Sequence, residues 1–345
     1  MHNLAVNLER SAALFPTKAA LKMGTDDVSY QQLDDYVNVV AHNLVKLGLV
    51  PGDKVALSCP NMTYFPIAYY GILKAGCVVV PLNILFKSRE IAYHLNDADA
   101  KAYFCFEAEQ ASADEQYGRI GFAQAPQCEH FISMLALNNT EHSLEAWLET
   151  SPQPFESISR QGDDPAVILY TSGTTGQPKG AELSHTNMLT NAMASQYLMR
   201  LEYSDTTMLT LPLFHSFGQT VMMNASVLTG STMVLIPRFE PKLVIEQIIS
   251  HKVSVFAGVP TMYIALLAAG EQSLEQSEQV KHSLRLGVSG GASMPVEVIR
   301  QFESRFELPV LEGYGYRKLR PLPPLIILMA IGYQAALAAA LWSYD

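Results

Sequence analysis

Residues 170–180 hold the densest set of groups suited to an anion. Three threonines (Thr171, Thr174, Thr175), Ser172, three glycines (Gly173, Gly176, Gly180) and Lys179 fall within eleven positions. Glycines let a backbone turn tightly and bring its N–H groups close to an anion. The hydroxyls add neutral donors, and Lys179 adds a point charge. Such a set suits a phosphate cradle. It is not the common P-loop, Gly-x-x-x-x-Gly-Lys-[Ser/Thr], because Gly173, Gly176 and Lys179 recur every three residues and Gly180 follows the lysine. Composition alone suits a flexible surface loop equally well. An apolar run at 166–169 precedes the stretch and reads as a buried strand.

Three further groups of residues could do chemistry. His215 lies between aromatics at 212–218, just after an expected strand, where α/β proteins place ligands. In isolation it also reads as a satisfied, partly buried histidine. Gly290, Gly291 and Ala292 follow another expected strand. Side chains this small let a flat ring approach the backbone, although a plain strand-to-helix turn has the same composition. Glu312, Gly313, Tyr314 and Gly315 form the last string. The four cysteines lie far apart, with no Cys-x-x-Cys and no histidine cluster, so no zinc site is expected. They read as reduced, buried thiols of a cytoplasmic protein. Net charge is −10, which argues against nucleic acid as a partner. Glu9 and Arg10 precede any long apolar run, so no signal peptide is expected.

The elements that must position these groups alternate. The chain has 345 residues, 49% hydrophobic and 16% charged, enough for about two domains with a sizeable core. Ser29 is expected to cap a helix, with Gln32 closing a capping box. Leu33, Val37, Val40, Ala41, Leu44 and Leu47 recur at helical spacing, and Gly48 ends the helix. Strands are expected at 54–58, 78–80, 102–106, 166–169, 207–211, 232–236, 255–257, 286–289 and 309–311, and helices at 64–74, 88–96, 187–201, 217–228, 242–251, 261–269 and 295–306. Alternation of this kind predicts an α/β fold with a mainly parallel sheet and helices on both faces. Residues 108–164 are richer in Gln, Ser and Pro and read as a surface excursion and linker between two βα sheet units, about 1–160 and 165–315.

The string at 170–180 resembles the signature of the adenylate-forming superfamily, which includes acyl-CoA synthetases, aryl-CoA ligases, luciferases and peptide-synthetase adenylation domains. The strings around His215, Gly290 and Glu312 resemble its later motifs in the same order, and 53–58, Asn61, Gly71, 74–76 and 80–83 resemble its opening βα units. The resemblance covers about residues 3–315. It implies two stacked, doubly wound βα subdomains, the N-terminal domain of such an enzyme, over 1–316. It also implies an ATP-dependent carboxylic acid–CoA ligase that forms an acyl-adenylate and then acyl-CoA. The Glu-Gly-Tyr-Gly form is similar to that of fatty acyl-CoA synthetases; aryl acids remain open. Its substrates would be a carboxylic acid, ATP and CoA, with Mg²⁺. By resemblance, Thr171, Ser172, Gly173, Thr174, Thr175, Gly176 and Lys179 grip the β- and γ-phosphates, and Thr175, Lys179 and His215 serve catalysis, His215 bordering the acyl pocket. Gly290, Gly291 and Ala292 lie against the adenine, and Tyr314 stacks on it within the string from Glu312 and Gly313 to Gly315.

The end of the chain departs from the family pattern. A family member continues with a small or apolar residue, Thr or Ser, and a glutamate that holds Mg²⁺. Tyr316, Arg317 and Lys318 stand here, so no metal ligand is assigned. The β-barrel portion, a ribose-gripping aspartate and a C-terminal domain with a catalytic lysine have no counterpart. Impaired turnover is therefore expected, and a non-catalytic nucleotide- or acid-binding remnant is the alternative. In the tail, 317–345, basic residues and Pro321, Pro323 and Pro324 precede an apolar run at 325–342. An out-of-frame or premature ending is the favoured reading. A C-terminal membrane anchor that makes this a membrane-attached binding protein and a helix packed on the body are the others. A sheet that ends at 309–311 is expected to expose an aggregation-prone edge.

Overall fold

The computed structural model describes residues 3–107, 116–135, 142–171, 177–270, 274–316 and 326–331. In chain order the strands are β1 (Ala19–Met23), β2 (Asp26–Ser29), β3 (Lys54–Ser58), β4 (Val78–Pro81), β5 (Ala100–Phe106), β6 (His130–Met134) and β7 (Pro165–Thr171). They continue with β8 (Lys179–Ser184), β9 (Thr206–Leu209), β10 (Thr232–Leu235), β11 (Val255–Gly258), β12 (Leu286–Gly290), β13 (Val310–Tyr316) and β14 (Ile326–Ile331). The first sheet runs β6-β5-β3-β4-β7-β8 and is parallel except for the β7–β8 hairpin. The second runs β14-β13-β12-β11-β9-β10-β1-β2 and is parallel from β13 to β1, with β14 antiparallel to β13. The expected α/β class with parallel-dominated sheets is what the chain adopts.

The chain divides into two compact units. One gathers Met1–Lys18, Val28–Thr190 and Leu213–Ser216, and the other Ala19–Asp27, Asn191–Pro212 and Phe217–Asp345. In the first, Ser29 Oγ accepts from Gln32 N while Ser29 N donates to Gln32 Oε1, the expected capping box of the helix Tyr30–Lys46. Gly48 follows at φ +93°, a backbone that favours glycine. The helix Tyr64–Lys74 ends on a buried lysine: Lys74 Nζ lies 2.8 Å from Asp34 Oδ1 and 3.1 Å from Glu9 Oε1. Ser157 Oγ donates to the same Glu9 oxygen at 2.7 Å. One buried cation thus ties four chain segments together. β4 is buried along its whole length, as parallel interior strands are.

The second unit packs Met208, Val234, Phe256, Tyr263, Phe302, Phe306 and Val310 into one core. An ion pair fastens the amino ends of its strands. Arg285 grips Asp205 through two bonds, Nε to Oδ1 at 2.8 Å and Nη2 to Oδ2 at 2.7 Å, and also donates to the carbonyls of Met199 and Arg200. Ser254 Oγ donates to Asp205 Oδ1 at 2.7 Å. Burial pushes the Asp205 carboxyl upward, but the bonds from Arg285, Glu202 N and Ser254 outweigh it and hold the group below the ordinary carboxylate range.

Three expectations are corrected. Residues 108–164 include β6 and the helices Tyr117–Phe122 and Leu144–Leu148, so the segment is more than an excursion; β6 extends the first sheet beside β5. The strands do not sort by a division near residue 160, because β7 and β8 join the first sheet and β1 and β2 the second. Finally, the edge at 309–311 is not open. β13 runs on to Tyr316, and β14 pairs with it from Tyr316↔Ile326 to Leu311↔Ile331. Six residues of the apolar tail are therefore strand, neither a membrane helix nor a helix packed on the body. The other residues of 317–345 lie outside the described set. Among the described residues no helix is long and apolar enough to cross a membrane.

Two predictions follow from these contacts. Arg285→Gln leaves a largely buried carboxylate without its partner and lowers unfolding free energy by about 3 kcal/mol, read from urea midpoints at neutral pH. Because folding depresses the Asp205 pKa, its contribution is full above the unfolded value of about 3.9 and fades as pH falls through and below it. The gap between wild type and variant therefore narrows in acid, and a gap constant down to pH 3 would contradict this assignment. The four cysteines are free and buried, and burial pushes the thiols of Cys77, Cys105 and Cys128 up to about 12. A thiol reagent should label them only after denaturant is added; rapid labelling of any one in native buffer contradicts their placement.

Candidate nucleotide and acid site

In the first unit the hydroxyl- and glycine-rich stretch is the tip of the β7–β8 hairpin. Thr171 ends β7 and Lys179 begins β8, and the two are directly opposed in the register. Ser172, Gly173, Thr174, Thr175 and Gly176 lie outside the described residues. Lys179 is exposed. One step down the ladder Tyr170 faces Gly180, where a Cβ would fall 2.8 Å from Ile168 Cγ2 and 3.4 Å from the Tyr170 ring. A bare backbone at 180 therefore lets the tyrosine ring lie across the hairpin. β8 was not expected from the sequence: Lys179-Gly-Ala-Glu-Leu-Ser184 is an exposed edge strand with little apolar alternation.

His215 belongs to the same unit, in the short segment Leu213–Ser216. Asn61 Oδ1 accepts from Leu213 N at 3.0 Å and fixes that segment, so the buried Asn61 supports the histidine loop. His215 is exposed, not the half-buried histidine of the alternative reading. Immediately after it, Phe217–Asn224 wind as a π-helix, an uncommon form often found at functional sites. Gly218 makes this start feasible, since a Cβ there would lie 2.6 Å from the carbonyl oxygens of Leu211 and Pro212.

In the second unit the remaining motifs meet at the carboxyl ends of β12 and β13. Gly290 and Gly313 are paired in the parallel register. A Cβ on Gly290 would sit 2.6 Å from the Phe217 ring and 3.1 Å from Gly313 O. Gly291 turns the chain at φ +83°, and Ala292 is exposed beside it. Glu312 Oε1 then accepts from Met294 N at 3.0 Å. The expectation put Glu312 among the nucleotide-binding residues; its carboxylate instead struts the glycine turn that precedes the helix Val296–Phe306. Tyr314 and Gly315 continue β13, and the expected stacking of the Tyr314 ring falls on a side chain outside the described set. Lys318, at the position of the expected metal glutamate, is likewise outside it. Among the described residues no group of three or more His, Cys, Asp or Glu could hold a metal ion. A lysine at the carboxylate position does not fit a divalent cation.

The fold and these strings match one family. The AMP-binding enzyme family model matches residues 8–317, and the chain belongs to that family. The long-chain-fatty-acid–CoA ligase of Bacillus subtilis is 31% identical, aligned over 91% of this chain and 60% of its own length. The crystal structure of ATP-bound MatB from Rhodopseudomonas palustris superposes with a TM-score of 0.79 at 30% identity, covering 91% of this chain and 59% of that one. An anthranilate CoA ligase, AuaEII, solved with anthranoyl-AMP, gives 0.82 at 25% identity over 93% and 63%. The chain thus spans about 60% of the length of the curated relative.

Sequence reasoning missed Tyr93, Asp97 and the strut role of Glu312. The first two are polar residues one turn apart on an otherwise ordinary amphipathic helix; that spacing is the one local signal they give.

Gly290→Ala is expected to cost about 1–3 kcal/mol through overpacking, with part of the loss recovered by adding Phe217→Leu. Denaturant midpoints of the single and double variants check this. A Gly290→Ala protein as stable as wild type would mean the backbone is not held as close to the Phe217 ring as described.

Proposed function

We propose that this chain carries the acid-activating chemistry of an ATP-dependent carboxylic acid–CoA ligase. The observation that carries the reading is the opposition of Thr171 and Lys179 at the neck of a hydroxyl- and glycine-rich hairpin, in a member of the AMP-binding family. A carboxylate oxygen attacks the α-phosphorus of ATP, the bond to the bridging oxygen of the β-phosphate breaks, and pyrophosphate leaves. The CoA sulfur, having lost its proton, then attacks the acyl carbon and AMP leaves. Thr171, Ser172, Gly173, Thr174, Thr175, Gly176 and Lys179 hold the β- and γ-phosphates and offset the charge that builds there. His215, on its Asn61-supported segment, orients the acid. Gly290, Gly291 and Ala292 admit the adenine, Tyr314 stacks on it, and Gly313 and Gly315 keep that approach open. No step is assigned to Mg²⁺.

A fatty acid is the preferred substrate class, by likeness to the Bacillus subtilis ligase; an aryl acid is the other, by likeness to the anthranilate ligase. We place the reaction in the cytoplasm, where four free thiols stay reduced. Lys318 favours a second reading, a remnant that binds nucleotide without turnover.

The test is ATP binding by calorimetry together with acid-dependent pyrophosphate release, across short and long fatty acids and an aryl acid. ATP should bind, and Lys179→Ala should weaken it about tenfold, the loss of one charge-assisted contact. Release above a no-acid blank supports the ligase; binding without release supports the remnant. An unchanged affinity in Lys179→Ala would sink the phosphate-loop reading.

A further inference from the structure

The two ends of the phosphate hairpin are fastened to one helix. Tyr93 and Asp97 stand one turn apart on the helix Ser88–Asp97. Tyr93 donates its hydroxyl to the carbonyl of Pro178 at 2.8 Å, and Tyr170 donates its own to Asp97 Oδ2 at 2.6 Å. Pro178 immediately precedes Lys179, and Tyr170 immediately precedes Thr171. Both residues of the opposed pair are therefore held from behind by the same element.

That element is itself held. Glu90 Oε2 accepts from Lys87 N at 2.8 Å and completes a capping contact at the start of the helix. His94 lies between Tyr93 and Asp97, 2% exposed, with Nδ1 2.7 Å from Glu90 O. Its ring stacks on Phe86 with centroids 4.7 Å apart and meets the Tyr170 ring edge-on at 4.3 Å. The Tyr170 ring, lying over Gly180 and against His94, aims its hydroxyl at Asp97. Rotation of either end of the hairpin would break a short hydrogen bond and an aromatic contact together.

We propose that Tyr93 and Asp97 are positioning residues for Thr171 and Lys179: they clamp the hairpin so that its donors need no ordering when a triphosphate arrives. The inference rests on the phosphate-loop reading above. Neither residue touches the ligand. Their effect is on preorganisation, which raises affinity by removing the cost of ordering at the moment of binding. It should therefore fall on the β- and γ-phosphates and leave the adenosine end untouched.

The experiment compares ATP and AMP affinities in Tyr93→Phe, Asp97→Ala and Asp97→Asn, with amide hydrogen exchange of the β7–β8 hairpin in the free protein. Tyr93→Phe and Asp97→Ala should each weaken ATP about fivefold, the worth of one ordinary hydrogen bond. Both should leave AMP within about twofold and speed hairpin exchange. Asp97→Asn keeps an oxygen acceptor for the Tyr170 hydroxyl and should stay near wild type. ATP and AMP losing affinity equally would mean a general structural role and overturn the proposal, as would unchanged ATP affinity in variants where Lys179→Ala still weakens it. Wild-type protein that binds ATP no better than AMP would sink the phosphate reading and the positioning role with it. Hairpin exchange equal to wild type in Tyr93→Phe would show, whatever the nucleotide data, that the clamp does not exist.

Discussion

The carboxyl edge of the second sheet depends on two backbones lying closer than any side chain allows. Gly290 and Gly313 are paired across β12 and β13, and a single methyl at 290 would strike both the Phe217 ring and the facing carbonyl. From that closeness the rest follows. The chain can leave β12 through Gly291 at a positive φ and turn at once into the loop before the helix Val296–Phe306. Glu312 sits one residue before Gly313 and reaches the Met294 amide, so the turn is held by the strand beside it. A face of backbone without Cβ atoms, kept rigid from below, suits a planar ring better than a cleft lined by mobile side chains.

How much of this the sequence disclosed depended on range. The Ser29–Gln32 capping box and the end of its helix at Gly48 were legible because every participant lies within a few turns. The parallel strands were legible as short apolar runs, since interior strands such as β4 and β11 are buried on both faces. β8 escaped because an edge strand needs no apolar alternation, and β6 because it lies among polar neighbours. The division into units escaped for another reason: periodicity finds strands but not which sheet they enter, and β7 and β8 cross back to the first. Tyr93–Pro178 and Tyr170–Asp97 span 85 and 73 positions, and one sequence has no signal for such a pair.

Glu312 shows a related limit. Its motif was recognisable, and its charge suggested contact with a ligand. A carboxylate is also a strong acceptor for a main-chain amide at a turn, and here that use prevails. A motif residue can be required for the shape of a site without facing what binds there. At Lys318 the reasoning runs the other way. The position is recognisable by count from Glu312, but an ammonium there repels a divalent cation, so charge neutralisation has to come from donors on the chain itself.

The hairpin has to meet that demand without help from a helix. In the common P-loop the glycine-rich turn opens directly into a helix, whose amino end adds free N–H groups and the positive end of a macrodipole. Here the turn leads into β8, and the next helix, His185–Met199, begins only after that strand. Strand dipoles largely cancel. Affinity for a polyanion must then rest on loop amides, hydroxyls and the one cation at Lys179, each of which depends on orientation more than a helix end does. A hairpin neck free to twist would spread those donors over many directions. Two hydrogen bonds and an aromatic contact from a single rigid helix confine the neck, and this explains why polar side chains one turn apart on the helix Ser88–Asp97 are turned toward the hairpin and away from water.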